Sequence, residues 1–233
     1  MKTGCFIPIK VNSTRVPGKN FSLVGGKALY LWVFEVVKAA RDEGAFDFVV
    51  VDTNAAQFPS DNSSNLLDDV EALGFIHHPR KPALAEDTVN GNDLMVHWRQ
   101  VYPDTDRFFQ IFVTGLFLQR GTILRAAEAL GRGTCDSVLT MVKRQGWFWF
   151  GGSPVNYMPG VLPRSQDSQP VMEETTALYG ITKASLDKYR CRIGANLVPI
   201  FVDDLEATDI DTLSDLSTSR SIVDSGVYAD WLA

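Results

Sequence analysis

The chain has 233 residues, 45% of them apolar and 21% charged, which is ordinary for a globular protein with a sizeable core. Its net charge of −6 argues against a general nucleic-acid-binding protein, because affinity for a phosphate backbone requires an excess of Lys and Arg. The sequence contains no run of about 18 apolar residues, so no membrane span is expected.

The three cysteines, Cys5, Cys135 and Cys191, are far apart and lack CxxC spacing. We therefore expect free thiols in a reducing cytoplasm rather than a disulfide framework or a zinc site. Met1 lies so close to the first apolar run that no signal peptide is expected. The sequence predicts a cytoplasmic protein with a single domain over residues 1–233.

Apolar runs alternate with helical patterns along the chain, which predicts an α/β fold with a mostly parallel sheet. The predicted strands are Gly4–Ile9, Phe46–Thr53, Gly74–His78, Arg107–Thr114, Asp136–Val142, Thr175–Thr182 and Leu197–Val202. The predicted helices are Ala28–Glu43, Asn62–Leu73, Asn90–Val101, Thr122–Leu130, Lys183–Arg190 and Thr212–Asp224. In the first helix, apolar residues repeat at the spacing of a face packed on a sheet.

The loop after the first predicted strand carries three cations, Lys10, Arg15 and Lys19, among small polar residues. Open α/β sheets bind their ligands at the carboxyl ends of strands. The spacing matches neither a Walker A loop nor GxGxxG. Such a loop suits a polyphosphate, because Arg15 can bind two oxygens while the lysines act as point charges. The alternative is a solvated basic turn.

Two later loops are expected at the same edge of the sheet. Arg80 follows one predicted strand and precedes Asp87 and Thr88, and Thr114 ends another strand. The neighbouring histidines are not predicted to bind a metal. His77 and His78 face opposite ways in a strand, and one alone makes no metal site, while His97 lies in an apolar helix pattern and is expected to be a packed or surface side chain.

Residues 145–172 interrupt the alternation of strands and helices with Trp147–Phe150 and several Gly and Pro residues. This segment is too broken for a helix and too aromatic for a flexible linker. We interpret it as an inserted arm that buries aromatic residues against a second copy of the chain, because interface cores favour such side chains. The alternative is that these aromatics cover the core of their own subunit.

Asp209 and Asp211 flank one apolar residue after the last predicted strand, so their carboxylates point to the same side of an extended chain. Such hard oxygen ligands suit Mg²⁺, and the alternative is that either residue caps the following helix. Arg164 and Gln166 suit a carboxylate and hydroxyl groups. Arg192, in contrast, is expected to balance a helix dipole rather than contact a ligand.

Together these motifs resemble the acidic-sugar cytidylyltransferases, chiefly the CMP-sialic acid synthetases, with loop features of the CMP-Kdo synthetases. The resemblance rests on Ile7–Lys27 as the nucleotide loop, Pro79–Thr88 as the RPxxLAxDT stretch, Pro163–Gly180 as the PRxQD…E…YI stretch, and Asp209–Asp211 as the DID metal pair. The chain departs from the family pattern at Lys10, Phe112 and Leu116, where the family has Arg, Gln and Pro.

The resemblance implies a Rossmann-like fold of the nucleotidyltransferase type and a homodimer. It also implies magnesium-dependent transfer of CMP from CTP to an acidic 2-keto-3-deoxy sugar, with release of pyrophosphate. The catalytic residues it implies are Lys10, Arg15, Lys19, Asp209 and Asp211, the last two as metal ligands. The implied nucleotide-binding residues are Pro8, Ile9, Asn12, Ser13, Asn20, Arg80, Thr88 and Thr114. The implied substrate-binding residues are Arg164, Gln166, Glu174 and Tyr179.

The sequence is also compatible with two other functions. The acceptor could be another small acid, such as a phosphonate or an alditol phosphate, because both classes present an anion to an arginine. Alternatively, the protein could bind a nucleotide without turnover, given its departures from the family pattern and because a fold does not by itself determine a function.

Overall fold

The structure is a computed structural model that describes residues 1–226. Its strands are β1 (Thr3–Ile9), β2 (Leu23–Val24), β3 (Lys27–Ala28), β4 (Phe48–Thr53), β5 (Ile76–Pro79), β6 (Arg107–Ile111), β7 (Ser137–Arg144), β8 (Trp149–Phe150), β9 (Ser153–Pro154), β10 (Val171–Thr182) and β11 (Leu197–Val202). Its helices are α1 (Leu29–Asp42), α2 (Asp61–Ala72), α3 (Gly91–Val101), α4 (Arg120–Gly131), α5 (Lys183–Tyr189) and α6 (Leu213–Asp224).

The seven longer strands form one sheet in the order β11-β7-β10-β6-β1-β4-β5. Within this sheet β10 runs antiparallel to both of its neighbours, and the other adjacent pairs are parallel. The carboxyl ends of β1, β4, β5 and β6 therefore meet at one edge, together with the start of β10. Open α/β sheets bind their ligands at this edge.

Successive side chains of β1 point into two separate cores, as the two-residue period of a strand requires. Cys5, Ile7 and Ile9 pack with α1, α2 and α4 on one face of the sheet. Phe6 packs with α3 and α5 on the other face, where its ring stacks on Trp98 at 4.9 Å between centroids. Burial of each such side chain contributes about 1.5–3 kcal/mol to stability. The sheet is thus covered by helices on both faces.

The predicted α/β fold with a mostly parallel sheet is confirmed, with each predicted strand and helix present. Leu197–Val202 agrees at both ends, several other elements agree at one end, and the remaining ends differ by one to four residues. One difference affects the ligand-binding edge: the strand predicted to reach Thr114 ends at Ile111, because the following residues form turns, with Gly115 N–H donating to the Phe112 carbonyl.

Two short hairpins were not predicted as elements. β2 and β3 pair across Gly25 and Gly26, whose φ angles of 55° and 77° lie in the left-handed region that glycine adopts readily. β8 and β9 pair within the predicted arm. The rest of residues 145–172 is mostly turns and short irregular stretches, up to the start of β10.

Candidate active site

A cleft of about 620 Å³ lies at the carboxyl ends of β1 and β5 and reaches across to β10. Of the predicted site residues, those that line it are Pro8, Lys10, Ser13, Arg15, Lys19, Asn20, Arg80, Thr114, Asp209 and Asp211. The structure therefore brings the basic loop, the second ligand loop and the carboxylate pair to one place. These segments are far apart in the sequence, and the parallel sheet is what joins them.

The basic loop is held in shape by backbone contacts at both ends. Asn20 donates from its side-chain amide to the Lys10 carbonyl at 3.0 Å. Asn54 accepts from Val11 N–H at 2.9 Å and donates to the Asn12 side chain at 2.8 Å. Gly18 has a φ angle of 68°, a conformation that favours glycine. Sequence reasoning missed Asn54, although its position at the carboxyl end of β4 was a usable signal.

Two loop cations contact the carboxylate of Asp211. Arg15 Nη1 lies 2.7 Å from Asp211 Oδ2, and Lys19 Nζ lies 3.4 Å from Asp211 Oδ1. Lys19 is 6% exposed and also donates to the Ile210 carbonyl at 2.5 Å. The alternative of a solvated basic turn is therefore wrong at Lys19. The loop is instead attached to the segment that carries the carboxylate pair.

The two carboxylates do not cap the following helix. Thr212 and Asp215 form the capping box of α6, each side chain accepting from the backbone of the other. Within residues 1–226, Asp209 Oδ1 is a buried oxygen without a hydrogen-bond partner. The capping alternative is therefore wrong for Asp209 and Asp211, and Asp209 keeps an oxygen available for another ligand.

The carboxylate pair fits Mg²⁺, which usually takes one or two protein carboxylates and completes its shell with water and substrate phosphate. A buried carboxylate oxygen without a partner is costly unless a ligand or an ion satisfies it. In the described part of the chain, no cluster of three or more His, Cys, Asp or Glu side chains could hold a metal by itself. The donor set therefore fits an ion that completes its coordination with ligand oxygens and water.

Arg80 lies at the floor of the cleft in a buried network. Its Nε donates to Asp52 Oδ1 at 2.9 Å, and its Nη2 donates to the Asp52 carbonyl. Trp98 donates to the second Asp52 oxygen at 2.5 Å. Asp52 is fully buried and Arg80 is 5% exposed, so the loss of either partner would leave an uncompensated charge.

The remaining predicted nucleotide-binding residues lie outside the cleft lining. Ile9 is fully buried in the core beneath the loop. Asn12 is exposed and bonded to Asn54, and Thr88 is exposed next to Asp87, which pairs with Lys10 at 2.6 Å. These side chains support the loop or lie at its rim. Direct contact with a nucleotide stays a prediction for Asn12 and Thr88.

The predicted substrate-binding residues are separated in the structure. Tyr179 is fully buried, and its hydroxyl donates a hydrogen bond to the Glu174 carboxylate. The pKa of this hydroxyl is raised, chiefly by burial and secondly by the hydrogen bond. Glu174 is exposed and lines a smaller cavity that also includes Asp209. Arg164 is exposed and pairs with Asp167, and neither Arg164 nor Gln166 lines the main cleft.

Arg192 lines the cleft, contrary to the expectation that it only balances a helix dipole. Its Nη1 donates to Gln110 Oε1 at 3.1 Å, and its guanidinium carbon lies 3.6 Å from the centroid of the Tyr179 ring. The side chain also lies 5.6 Å from the ring of Phe112. The sequence contained no spacing signal for this residue, because the loop after α5 reaches the cleft only through the tertiary fold.

The arm leaves much of its apolar surface uncovered. The residues of this surface that are more than half exposed are Trp149, Phe150, Val155, Met158, Val161, Leu162 and Met172. Trp147 is 46% exposed and donates its indole N–H to the Pro163 carbonyl at 3.1 Å. Trp149 and Phe150 therefore do not cover the core of their own subunit, whereas Phe148 and Tyr157 are partly buried.

A family model described as cytidylyltransferase matches residues 5–143 of this chain. This range contains the basic loop and the strands that form the floor of the cleft. The chain belongs to the cytidylyltransferase family. No helix in residues 1–226 is long and apolar enough to cross a membrane.

Curated relatives are N-acylneuraminate cytidylyltransferases. The protein from Oncorhynchus mykiss is 27% identical over 188 residues, which cover 76% of this chain and 40% of the relative. N-acylneuraminate cytidylyltransferase A from Danio rerio is 25% identical over 184 residues, with the same two coverages. This chain thus spans about 40% of the length of these relatives.

Solved structures share the fold of this cytidylyltransferase family member. CMP:2-keto-3-deoxy-manno-octonic acid synthetase, solved in complex with CTP, superposes with a TM-score of 0.69 at 15% identity and covers 97% of this chain and 99% of its own. The 4-diphosphocytidyl-2C-methyl-D-erythritol synthase from Anaerococcus prevotii DSM 20548 has a TM-score of 0.62 at 11% identity, with coverages of 96% and 98%. The predicted nucleotidyltransferase-type, Rossmann-like fold is confirmed by these likenesses.

Proposed function

We propose that this protein transfers CMP from CTP to an acidic 2-keto-3-deoxy sugar of the sialic acid type and releases pyrophosphate. The observation that carries the proposal is the attachment of Arg15 and Lys19 to Asp211 in one cleft, beside the partnerless oxygen of Asp209. Cations for a triphosphate and carboxylates for its metal ion are thereby adjacent. Membership of the cytidylyltransferase family and the N-acylneuraminate specificity of the curated relatives support the choice of nucleotide and acceptor.

The anomeric hydroxyl of the sugar attacks the α-phosphorus of CTP, and the bond from this phosphorus to the pyrophosphate oxygen breaks. The hydroxyl proton leaves to solvent or to a nearby carboxylate. Reactions of this kind depend mainly on positioning and on neutralisation of charge. Lys10, Arg15 and Lys19 bind the triphosphate and stabilise the negative charge that develops on the departing pyrophosphate.

Mg²⁺ is the proposed cofactor, and Asp209 and Asp211 would hold it. When bound, the ion would neutralise part of the charge on the α-phosphate. In the structure Asp211 contacts Arg15 and Lys19 instead, so the carboxylate keeps the loop cations in place before the nucleotide arrives. The two cations then exchange this carboxylate for phosphate oxygens.

The homodimer remains part of the proposal and is supported by the exposed apolar surface of the arm. A second copy of the chain would cover this surface and bring the arm near the Arg164 and Gln166 of its partner. Arg164 and Gln166 would then contribute to the acceptor site across the interface. A cytoplasmic location also remains a prediction, supported by the free state of the three thiols.

A screen for pyrophosphate release tests the proposed function. The chain is mixed with each of four nucleoside triphosphates and with a panel of N-acetylneuraminate, Kdo, a phosphonate and an alditol phosphate. We expect release with CTP and a carboxylate sugar, and only in the presence of Mg²⁺. Release with the phosphonate or alditol phosphate alone would establish the second acceptor class. Binding of CTP without release across the whole panel would establish a non-catalytic nucleotide-binding protein.

A further inference from the structure

Among the described residues, five cations line the cleft, and four of them already have a carboxylate partner. Lys10 pairs with Asp87, Arg15 and Lys19 pair with Asp211, and Arg80 pairs with Asp52. Arg192 forms no ion pair with any residue in the described range 1–226, although it lines the same cleft. A guanidinium without a counter-charge at a cleft wall is suited to an anionic ligand, because it can donate two parallel hydrogen bonds to a carboxylate.

The side chain of Arg192 is held in a defined position. Gln110 is fully buried; it donates to the Gly91 carbonyl at 3.1 Å and accepts from Arg192 Nη1 at 3.1 Å. The face of the guanidinium rests on the Tyr179 ring, at 3.6 Å from carbon to centroid. A Cβ at Gly91 would lie 2.3 Å from Arg192 Nη1, so only glycine leaves room for the guanidinium there.

The backbone beneath Arg192 is equally well fixed. Arg192 N–H donates to the side chain of Asn92 at 2.9 Å. Further along the loop, Ala195 and Asn196 each donate a backbone N–H to the Asp136 carboxylate at 3.0 Å. A cation whose side chain and backbone are both ordered before binding loses little conformational entropy when its ligand arrives.

Arg192 lies on the side of the cleft formed by β6, β10 and the first turn of α3. Its neighbour Phe112 directly follows β6 and Tyr179 belongs to β10, whereas the basic loop follows β1 and Arg80 follows β5. In the sheet, β10 and β6 lie on one side of β1, and β4 and β5 lie on the other. A nucleotide bound to the basic loop therefore leaves the Arg192 side of the cleft free for the acceptor.

We propose that Arg192 binds the carboxylate of the acceptor and thereby selects an acidic sugar. This inference rests on the proposed function, since it names the group within that site that recognises the acceptor. A single unpaired guanidinium balances the one charge of a carboxylate. A phosphate carries about 1.5 to 2 negative charges at pH 7, more than one guanidinium balances, so the site favours the carboxylate.

Arg164 was assigned to the acceptor by resemblance, but its position within one subunit does not suit this role. Arg164 is exposed, is paired with Asp167 and does not line the cleft within one subunit. Arg192 supplies an arginine from the same subunit, at a place where no exchange of an existing ion pair is needed. A contribution from Arg164 then depends on the dimer, whereas the contribution from Arg192 does not.

The test compares Arg192→Ala, Arg192→Lys and Gly91→Ala with the unmodified chain. Lys188→Ala is the matched control, because it removes one exposed positive charge from the same end of α5 without touching the cleft. CTP affinity is measured by titration without acceptor, and kcat and KM are measured by pyrophosphate release with N-acetylneuraminate or whichever carboxylate sugar the unmodified chain uses. The carboxamide analogue of the same sugar is measured in parallel.

We expect Arg192→Ala to raise the acceptor KM about tenfold to a hundredfold, as loss of a charge-assisted contact implies, while CTP affinity stays within twofold. Arg192→Lys should recover part of the loss, and Gly91→Ala should raise KM without removing any charge. The carboxamide should be a poor acceptor for the unmodified chain, and Arg192→Ala should penalise it little further. Lys188→Ala should leave KM unchanged.

If the unmodified chain turns over and Arg192→Ala has an unchanged acceptor KM, the assignment of Arg192 is overturned while the proposed function stands. The same conclusion would follow if Arg192→Ala lost CTP affinity instead, or if the carboxylate and the carboxamide were penalised equally. If no acid in the panel released pyrophosphate with the unmodified chain, the proposed function itself would be overturned, and the assignment of Arg192 with it.

Discussion

Asp211 is the residue that joins the basic loop to the carboxylate pair, through contacts of 2.7 Å with Arg15 and 3.4 Å with Lys19. We expect Asp211→Asn to lower kcat about a hundredfold or more, because loss of one preorganised electrostatic contact at a reacting phosphate costs several kcal/mol. Pyrophosphate release at saturating CTP measures the effect. Asp204→Asn is the control, since Asp204 is an exposed aspartate outside the cleft. Equal turnover of both variants would contradict the metal assignment.

Arg15 and Lys19 should respond differently to truncation, although both are proposed to bind the triphosphate. Arg15 has a side chain that is 70% exposed, so Arg15→Ala should weaken CTP binding with little change in stability. Lys19 has a side chain that is 8% exposed and donates to the Ile210 carbonyl, so Lys19→Ala should also lower the free energy of unfolding by about 1–3 kcal/mol. CTP titration and urea unfolding of the two variants measure both effects.

Unchanged CTP affinity in both variants would mean that the loop does not bind the triphosphate. Equal unfolding free energies of Arg15→Ala and Lys19→Ala would contradict the structural role of the buried lysine. The comparison separates the two functions of the loop, because only one of the two side chains is buried.

At the scale of elements, the arm provides the surface for the proposed homodimer. Trp149 and Phe150 are 61% and 81% exposed on the short strand β8, so they stabilise little within their own subunit. Replacing both with Ser should therefore convert a dimer into a monomer with CTP binding retained and poor use of the acceptor. Light scattering at micromolar concentration measures the mass. Leu213→Ser, at the start of α6 and 69% exposed, is the control that should stay dimeric.

A monomeric mass for the unmodified chain at that concentration would contradict the proposed dimer. A dimer that persists in the Trp149→Ser and Phe150→Ser variant would place the interface elsewhere on the molecule. In that case the arm would need another partner to cover its apolar surface.

The order of the elements was predictable because it depends on local patterns. Apolar runs of strand length alternate with segments of helical periodicity. In both kinds of segment, the spacing of the apolar residues indicates which face is buried. The basic loop was predictable for the same reason, since it follows the first strand. The sharp turns that end β6 at Ile111 were not predictable in this way, because an apolar run continues through Phe112 and Val113.

The acceptor side of the cleft was harder to predict, since it depends on contacts between distant segments. Arg192 reaches the site only because Asp136 and Asn92 hold its loop, and neither residue marks such a role in the sequence. Tyr179 and Arg164 were assigned by resemblance, and a resemblance carries residue types without their exposure. One is fully buried and the other lies outside the cleft of its own subunit.

For the whole molecule, the histidines predict how stability depends on pH. His97 was expected to be a packed or surface side chain, and in the structure its Nε2 lies 3.4 Å from Nε2 of His78. The pKa of both side chains is lowered, chiefly by burial and to a lesser extent by nearby positive charge. The Asp52 carboxylate opposes this shift. Below the ordinary histidine pKa of about 6.5, the unfolded chain binds more protons than the folded one. Stability should therefore be full above that pH and fall as the pH decreases toward the folded pKa.

Thermal unfolding at pH 7.5 and pH 5.5 measures this effect, with both pH values chosen about one unit either side of the ordinary histidine pKa. We expect a lower melting temperature at the acidic pH, and a smaller decrease in a His97→Asn variant. Other groups, such as Glu206, whose pKa is raised by burial, contribute equally to both proteins, so the difference between them isolates the histidine pair. An identical decrease in the two proteins would contradict the role of the histidine pair.

The proposed reaction transfers CMP, rather than phosphate or pyrophosphate, to an acidic sugar. Phosphorus NMR of a reaction with CTP, Mg²⁺ and the carboxylate sugar distinguishes these transfers, because it identifies which phosphorus bond is made and which is broken. We predict one new phosphodiester signal for the CMP-sugar and an equal amount of pyrophosphate, both absent with Asp211→Asn. Signals of CDP and inorganic phosphate alone, or an unchanged CTP spectrum with every acidic sugar, would contradict the proposed reaction.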